Sequence, residues 1–117
     1  MTKEEILIME AGIELDILVA ESIMGYQVFA GMTSATSPLI ITTSQVLSYS
    51  RDISAAWQVV DKLKEEKLLF IDIFWDYEAW FCRIEDIDGK TIGASELACD
   101  SAPEAICKAA LLAKVKQ

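Results

Sequence analysis

Residues 49–86, YSRDISAAWQVVDKLKEEKLLFIDIFWDYEAWFCRIED, decide the fold, because an amphipathic helix runs here into an apolar strand and then a hairpin. Ile53, Trp57, Val60 and Leu63 recur at the spacing of one helix face, with Ser54, Gln58, Asp61, Lys62 and Glu65 turned to water. Ser50 or Asp52 can cap this helix, which is placed at 52–66. Leu68 to Trp75 is apolar on both sides except at Asp72, the pattern of a central strand covered on two faces.

The turns set the register of the strands that follow. With Asp76-Tyr77 as a two-residue loop, Ile73 faces Trp80 and Ile71 faces Cys82, and Leu69, Ile71, Ile73, Trp80, Cys82 and Ile84 share one side. Asp88-Gly89 favours a type I′ hairpin, which pairs Arg83 with Ala94, Phe81 with Glu96 and Trp80 with Leu97. Antiparallel strands are therefore expected at 68–75, 79–86 and 91–98. On the second side Arg83 falls one diagonal step from both Asp72 and Glu96, among Phe70, Phe74 and Phe81. Such an arginine is either a structural ion-pair cluster or is shared with an anionic ligand or partner. Arg83, Asp72, Glu96 and, at the start of the helix, Arg51 are the candidate binding residues.

Before this unit, Thr2 and Glu5 form a capping box for a helix at 3–10. Leu15, Leu18, Val19 and Ser22 give a second helix at 13–24, stopped by Gly25. Residues 26–48 are uncharged and rich in Thr and Ser. They read as a loop, or as an edge strand near 39–43 that begins after Pro38 and is suited to ordering against another subunit. After the sheet, Ser101-Ala-Pro-Glu104 opens a helix at 102–115 with the small residues Ala109, Ala110 and Ala113 on one face, which allows close approach to a sheet.

Composition narrows the function classes. A chain of 117 residues fits a single domain, 1–117. A 53% hydrophobic content implies a dense core or self-association, so a homo-oligomer is expected. Tyr26 to Ser50 is uncharged yet too polar to span a membrane, and Met-Thr-Lys-Glu-Glu is acidic where a signal peptide is basic, so a cytoplasmic protein is expected. Net charge is −9, with only two arginines, which disfavours nucleic acid. Three cysteines, Cys82, Cys99 and Cys107, lack CxxC spacing, and reduced, buried thiols are expected. No histidine is present, which removes imidazole general-base chemistry and the commonest transition-metal ligand.

Motif tests are negative. Asp86-Ile-Asp88-Gly89 fails as a calcium loop, since Ile84 and Ser95 hold its end positions. Gly93-Ala-Ser95 lacks the second glycine of a nucleophile elbow, and no Walker or GxGxxG stretch occurs. No catalytic residue, metal site or cofactor is expected.

Three segments, MTKEEILIMEAGIELDILVAESIMG, YSRDISAAWQVVDKL and SAPEAICKAALLAKV, resemble the phage ABA sandwich domain family. The resemblance covers about half the chain and implies a three-layer α-β-α sandwich of phage or prophage origin, with no catalytic motif to transfer. The residues themselves lead to the same α+β class, with an antiparallel sheet of three to four strands and helices on both faces. Helix, three strands, helix also matches the double-stranded-RNA-binding module, against which the acidic charge speaks.

The leading expectation is a non-enzymatic phage or prophage accessory protein that binds a host or phage protein, or sequesters a small anionic ligand. A small hydrolase or nucleotide-binding enzyme using Asp72, Glu96 and Arg83 is the alternative. A nucleic-acid module would need Arg51, Lys108, Lys114 and Lys116 on one face.

Overall fold

A computed structural model describes residues 2–29, 40–66 and 70–115. Helix α1 (Lys3–Ile8) begins with the expected capping box, the Thr2 hydroxyl accepting from the Glu5 amide at 3.2 Å. Helix α2 (Ile13–Ser22) ends as expected at Gly25, whose φ of +81° turns the chain so that the Tyr26 amide reaches back to the Ala20 carbonyl at 2.9 Å. Strand β1 (Gln27–Phe29) pairs in parallel with β2 (Ile40–Thr42). The strand near 39–43 therefore exists at 40–42, but its partner is β1 rather than the main sheet. The rest of the 26–48 reading, at 30–39, lies outside the described residues.

Helix α3 (Ile53–Glu66) is capped by Asp52, whose carboxylate accepts from the Ser54 amide at 3.0 Å. Its buried face differs from the expected stripe. Ala55, Ala56, Val59, Val60 and Leu63 are buried, whereas Ile53 and Trp57 are each 50% exposed. The partner of α3 is the long helix α4 (Ala102–Val115), and alanine against alanine lets the two axes approach. The bulkier Ile53 and Trp57 are left at the border.

The main sheet has the order β3-β4-β5, with β3 at Phe70–Asp76, β4 at Ala79–Glu85 and β5 at Thr91–Ala94. The central strand is thus β4, and β3, expected there, is at the edge. The first loop is Tyr77-Glu78 rather than Asp76-Tyr77, with φ of 50° and 65°. Ile73 consequently faces Cys82, Ile71 faces Ile84 and Asp72 faces Arg83. A two-residue slip keeps every side chain on its expected side. Left-handed backbone at two non-glycine residues costs about 1–2 kcal/mol each. The slip offsets part of that by stacking Phe74 on Phe81, ring centres 5.5 Å apart, and by setting Asp72 against Arg83.

The second turn has three residues instead of the expected two. Of Asp88 and Gly89 only Gly89 has positive φ (+83°), and the Asp86 carboxylate accepts from the amides of Asp88 and Lys90. A bulge after Ile84 absorbs the extra residue, so Arg83 still faces Ala94 as predicted. Beyond Ala94 the ladder departs from prediction. The Ser95 hydroxyl accepts the Cys82 amide at 2.9 Å, and Trp80 then pairs with Cys99, not Leu97. Strand 91–98 accordingly ends at 94, and Glu96 does not face Phe81.

Helix α4 lies on β4 and β5 with α1, α2 and α3 packed around it, and it is buried from Pro103 to Ala113. At Gly93 the sheet backbone meets the helix directly. The opposite sheet face, with Phe70, Asp72, Phe74 and Arg83, is exposed among the described residues. This is an α+β fold with a three-stranded antiparallel sheet against helices, the class read from the sequence.

Candidate functional site

The four sequence candidates lie in three places. Arg83 and Asp72 come together on the open sheet face, Nη2 donating to Oδ2 at 3.0 Å, with Glu85 at 3.6 Å from Nε. Glu85 takes the place expected of Glu96 because it shares a strand face with Arg83 two residues away. The hydrogen bond that Arg83 donates to Asp72, and secondarily the charge of Glu85, raise the Arg83 pKa. All three residues keep solvent contact, so these pairs contribute little to stability. Glu96 pairs with Lys3 at 2.9 Å.

Arg51 belongs to a buried latch. Asp16, wholly buried on α2, accepts from the Ser50 amide at 2.8 Å, the Ser50 hydroxyl at 2.6 Å and Arg51 Nη2 at 2.8 Å. The Gly12 amide donates to the same hydroxyl at 3.0 Å. Ser50 therefore joins α2 to the approach of α3 instead of capping α3. Lys108 is likewise buried. It donates to Glu104 at 2.8 Å and to the Leu7 carbonyl at 2.9 Å. With Lys108 enclosed and Arg51 held by Asp16, these two cations of the nucleic-acid reading serve the core; Lys116 lies outside the described residues.

The three thiols are buried and free. Burial, with Asp72 second, pushes Cys82 up to about 12; burial, with Glu104 second, pushes Cys99 up to about 11; burial also raises Cys107. They are protonated at neutral pH and poorly nucleophilic. Among the described residues no group of three or more acidic or cysteine side chains is arranged to hold a metal ion, and no helix is long and apolar enough to cross a membrane.

An apolar groove of about 700 Å³ opens between the start of α3, the β3–β4 hairpin and the start of α4, lined by Ile53, Trp57, Ile73, Trp80, Ala102 and Pro103. The sequence reading assigned Ile53 and Trp57 to the core. The signal that separates them is size: α4 presents alanines, against which an indole cannot approach.

The sequence profile of the phage ABA sandwich domain matches residues 17–111. The chain belongs to that family. The match runs from within α2 through most of α4 and so takes in the groove, the open sheet face, and Ser50 and Arg51 of the latch, while Asp16 lies one residue before it. A crystal structure of a phage protein from Bacillus cereus ATCC 14579 is similar in fold, with a TM-score of 0.63 and 24% identity over 90% of this chain and 92% of that one. No curated protein matches the chain.

Proposed function

We infer that this protein is a non-enzymatic phage accessory protein that acts in the host cytoplasm through contact with another protein chain. One observation carries the reading. Strand β3 exposes large apolar side chains on both sides of the sheet, Trp75 (59% exposed) beside the groove and Phe70 (60%) and Phe74 (43%) on the other face, with Trp57 and Ile53 across the groove. Concentrated aromatic exposure of this kind marks interaction surfaces. The acidic remainder of the surface biases the chain toward basic partners, so any contact with a second copy has to come from the apolar strand.

A photo-cross-linking residue in place of Trp57 tests this in infected cells. One dominant cross-linked protein, another copy or a different chain, that disappears on adding Phe74→Ser and Trp75→Ser supports the reading. Cross-links spread over abundant host proteins and unchanged by those substitutions overturn it. The groove also suits a small apolar ligand, whose sequestration is the second reading, and native mass spectrometry would detect such a ligand as a constant added mass.

A further inference from the structure

Strand β3 ends the sheet, and no strand pairs with its outer side among the described residues. The polarity of that edge follows from its neighbour. Trp80 exchanges hydrogen bonds with Cys99 at 2.9 and 3.2 Å, and Cys82 exchanges bonds with Ser95, so these two residues point their backbone groups away from β3. Direction alternates along an antiparallel ladder. Phe70, Asp72, Phe74 and Asp76 thus bond to β4, and Ile71, Ile73 and Trp75 turn their N–H and C=O groups outward. Exposed edges are commonly blunted by lysine, proline or a bulge. The strand FIDIFWD has no lysine or proline, and its register with β4 is unbroken.

We propose that β3 pairs antiparallel with β3 of a second copy about a twofold axis at Ile73, fusing two three-stranded sheets into one. The proposal names the partner and edge of the protein-contact reading and rests on it. An axis at Ile73 pairs the strand along its whole length and makes about six outward hydrogen bonds, from Ile73 to its own copy and from Ile71 to Trp75. Charge selects the same axis. Asp72 then faces Phe74 and Asp76 faces Phe70, whereas an axis at Asp72 sets that acid against its copy, and one at Phe74 sets Asp72 against Asp76. On the helix side, the second copy's Ile71, Ile73 and Trp75 extend over the groove wall that Ile73 and Trp80 begin. The three exposed aromatics of β3 contribute on the order of 300 Å². With the strand edge and the groove wall, the contact reaches the low end of specific interfaces, about 600 Å² per partner.

The full chain carrying Asp72→Cys with Phe74→Cys tests the register. These positions face each other across the axis at a Cα separation of about 4.5 Å, within disulfide reach. Mild oxidation is expected to convert most of the protein to a covalent dimer, and light scattering to give a dimer mass for the wild type at about 100 μM. Ile73→Pro removes the outward donor at the axis, exchanges one groove-wall side chain for a smaller ring, and is expected to halve that mass with an unchanged far-ultraviolet circular dichroism spectrum. A wild-type monomer, or a dimer that Asp72→Cys/Phe74→Cys fails to cross-link, overturns the proposal. So does cross-linking by Phe70→Cys with Phe74→Cys in its place, which would put the axis at Asp72. The cross-link from position 57 keeps the two readings apart: a wild-type monomer that still cross-links there to a different protein overturns the dimer and leaves the protein-contact reading standing, whereas a cross-link to another copy should be lost with Ile73→Pro.

Discussion

Gly93 of β5 lies directly against the backbone of α4 at Ala109. A Cβ on Gly93 would overlap the Ala109 carbonyl and fall 2.7 Å from the Ala113 nitrogen. The obstructing atoms are main chain and cannot swing aside, so the sheet and its central helix touch at the one residue without a side chain.

Gly93→Ala is accordingly expected to destabilise the fold by about 2–3 kcal/mol, the range for overpacking a close-packed interior. Chemical denaturation would read this as a lower midpoint at unchanged slope. An unchanged midpoint would mean that α4 can lift off β5.

Asp16 serves three donors from a wholly buried position. Asp16→Ala leaves the Ser50 amide and hydroxyl without their acceptor and is expected to cost about 3–5 kcal/mol. Arg51→Ala removes one charged donor from the buried Asp16 but leaves it both Ser50 donors, and is expected to cost less, about 1.5–3 kcal/mol. A ratio near one between the two losses would show that the ion pair, rather than the Ser50 hydrogen bonds, closes the latch.

The Lys108–Glu104 pair spans one turn of α4 and reaches the end of α1 through the Leu7 carbonyl. Lys108→Ala leaves a carboxylate in the interior and is expected to cost about 3–5 kcal/mol. Replacing both, Lys108→Met with Glu104→Gln, keeps the volume, removes both charges and is expected to recover more than half of that loss. Thermal melts of the two variants make the comparison.

The thiols set an alkaline limit. The ordinary thiol value is 9.0, and burial holds Cys82 at about 12 and Cys99 at about 11 in the folded protein. Above pH 9 the unfolded chain therefore carries fewer protons than the folded one, and stability falls as pH rises toward the folded values. Each thiol contributes a slope of up to about 1.4 kcal/mol per pH unit. Tyr49, raised by burial to about 12, adds to this above 10. Urea midpoints should be level below pH 9 and decline beyond it, and Cys82→Ala should reduce that decline.

What the sequence disclosed was local. Thr2 with Glu5 and Gly25 after α2 act within a few residues and are found where they were read, and the β-branched and aromatic runs do form strands, though with a slipped first register and a shorter third strand. The Arg83–Asp72 contact was also legible, because strand alternation survives a two-residue slip. Asp16 and Ser50 are 34 positions apart and leave no periodic trace. Arg51 therefore read as a candidate binding residue, and Lys108 as one cation of a nucleic-acid face, although Lys108 is a core group and Arg51 is held by Asp16. Glu96 was misplaced for a different reason: a hydroxyl at Ser95 can replace a ladder hydrogen bond and let the chain leave the sheet, and strand propensity does not register that exchange.

Helix α4 is the last of the described elements to be synthesised, yet every other layer leans on it. At translation rates of about 5–20 residues per second, α1 and α2 wait several seconds on the ribosome before their packing surface exists. The packing of α1, α2 and the sheet therefore waits for α4, and until that helix is made the apolar side chains of these elements have no helix to pack against.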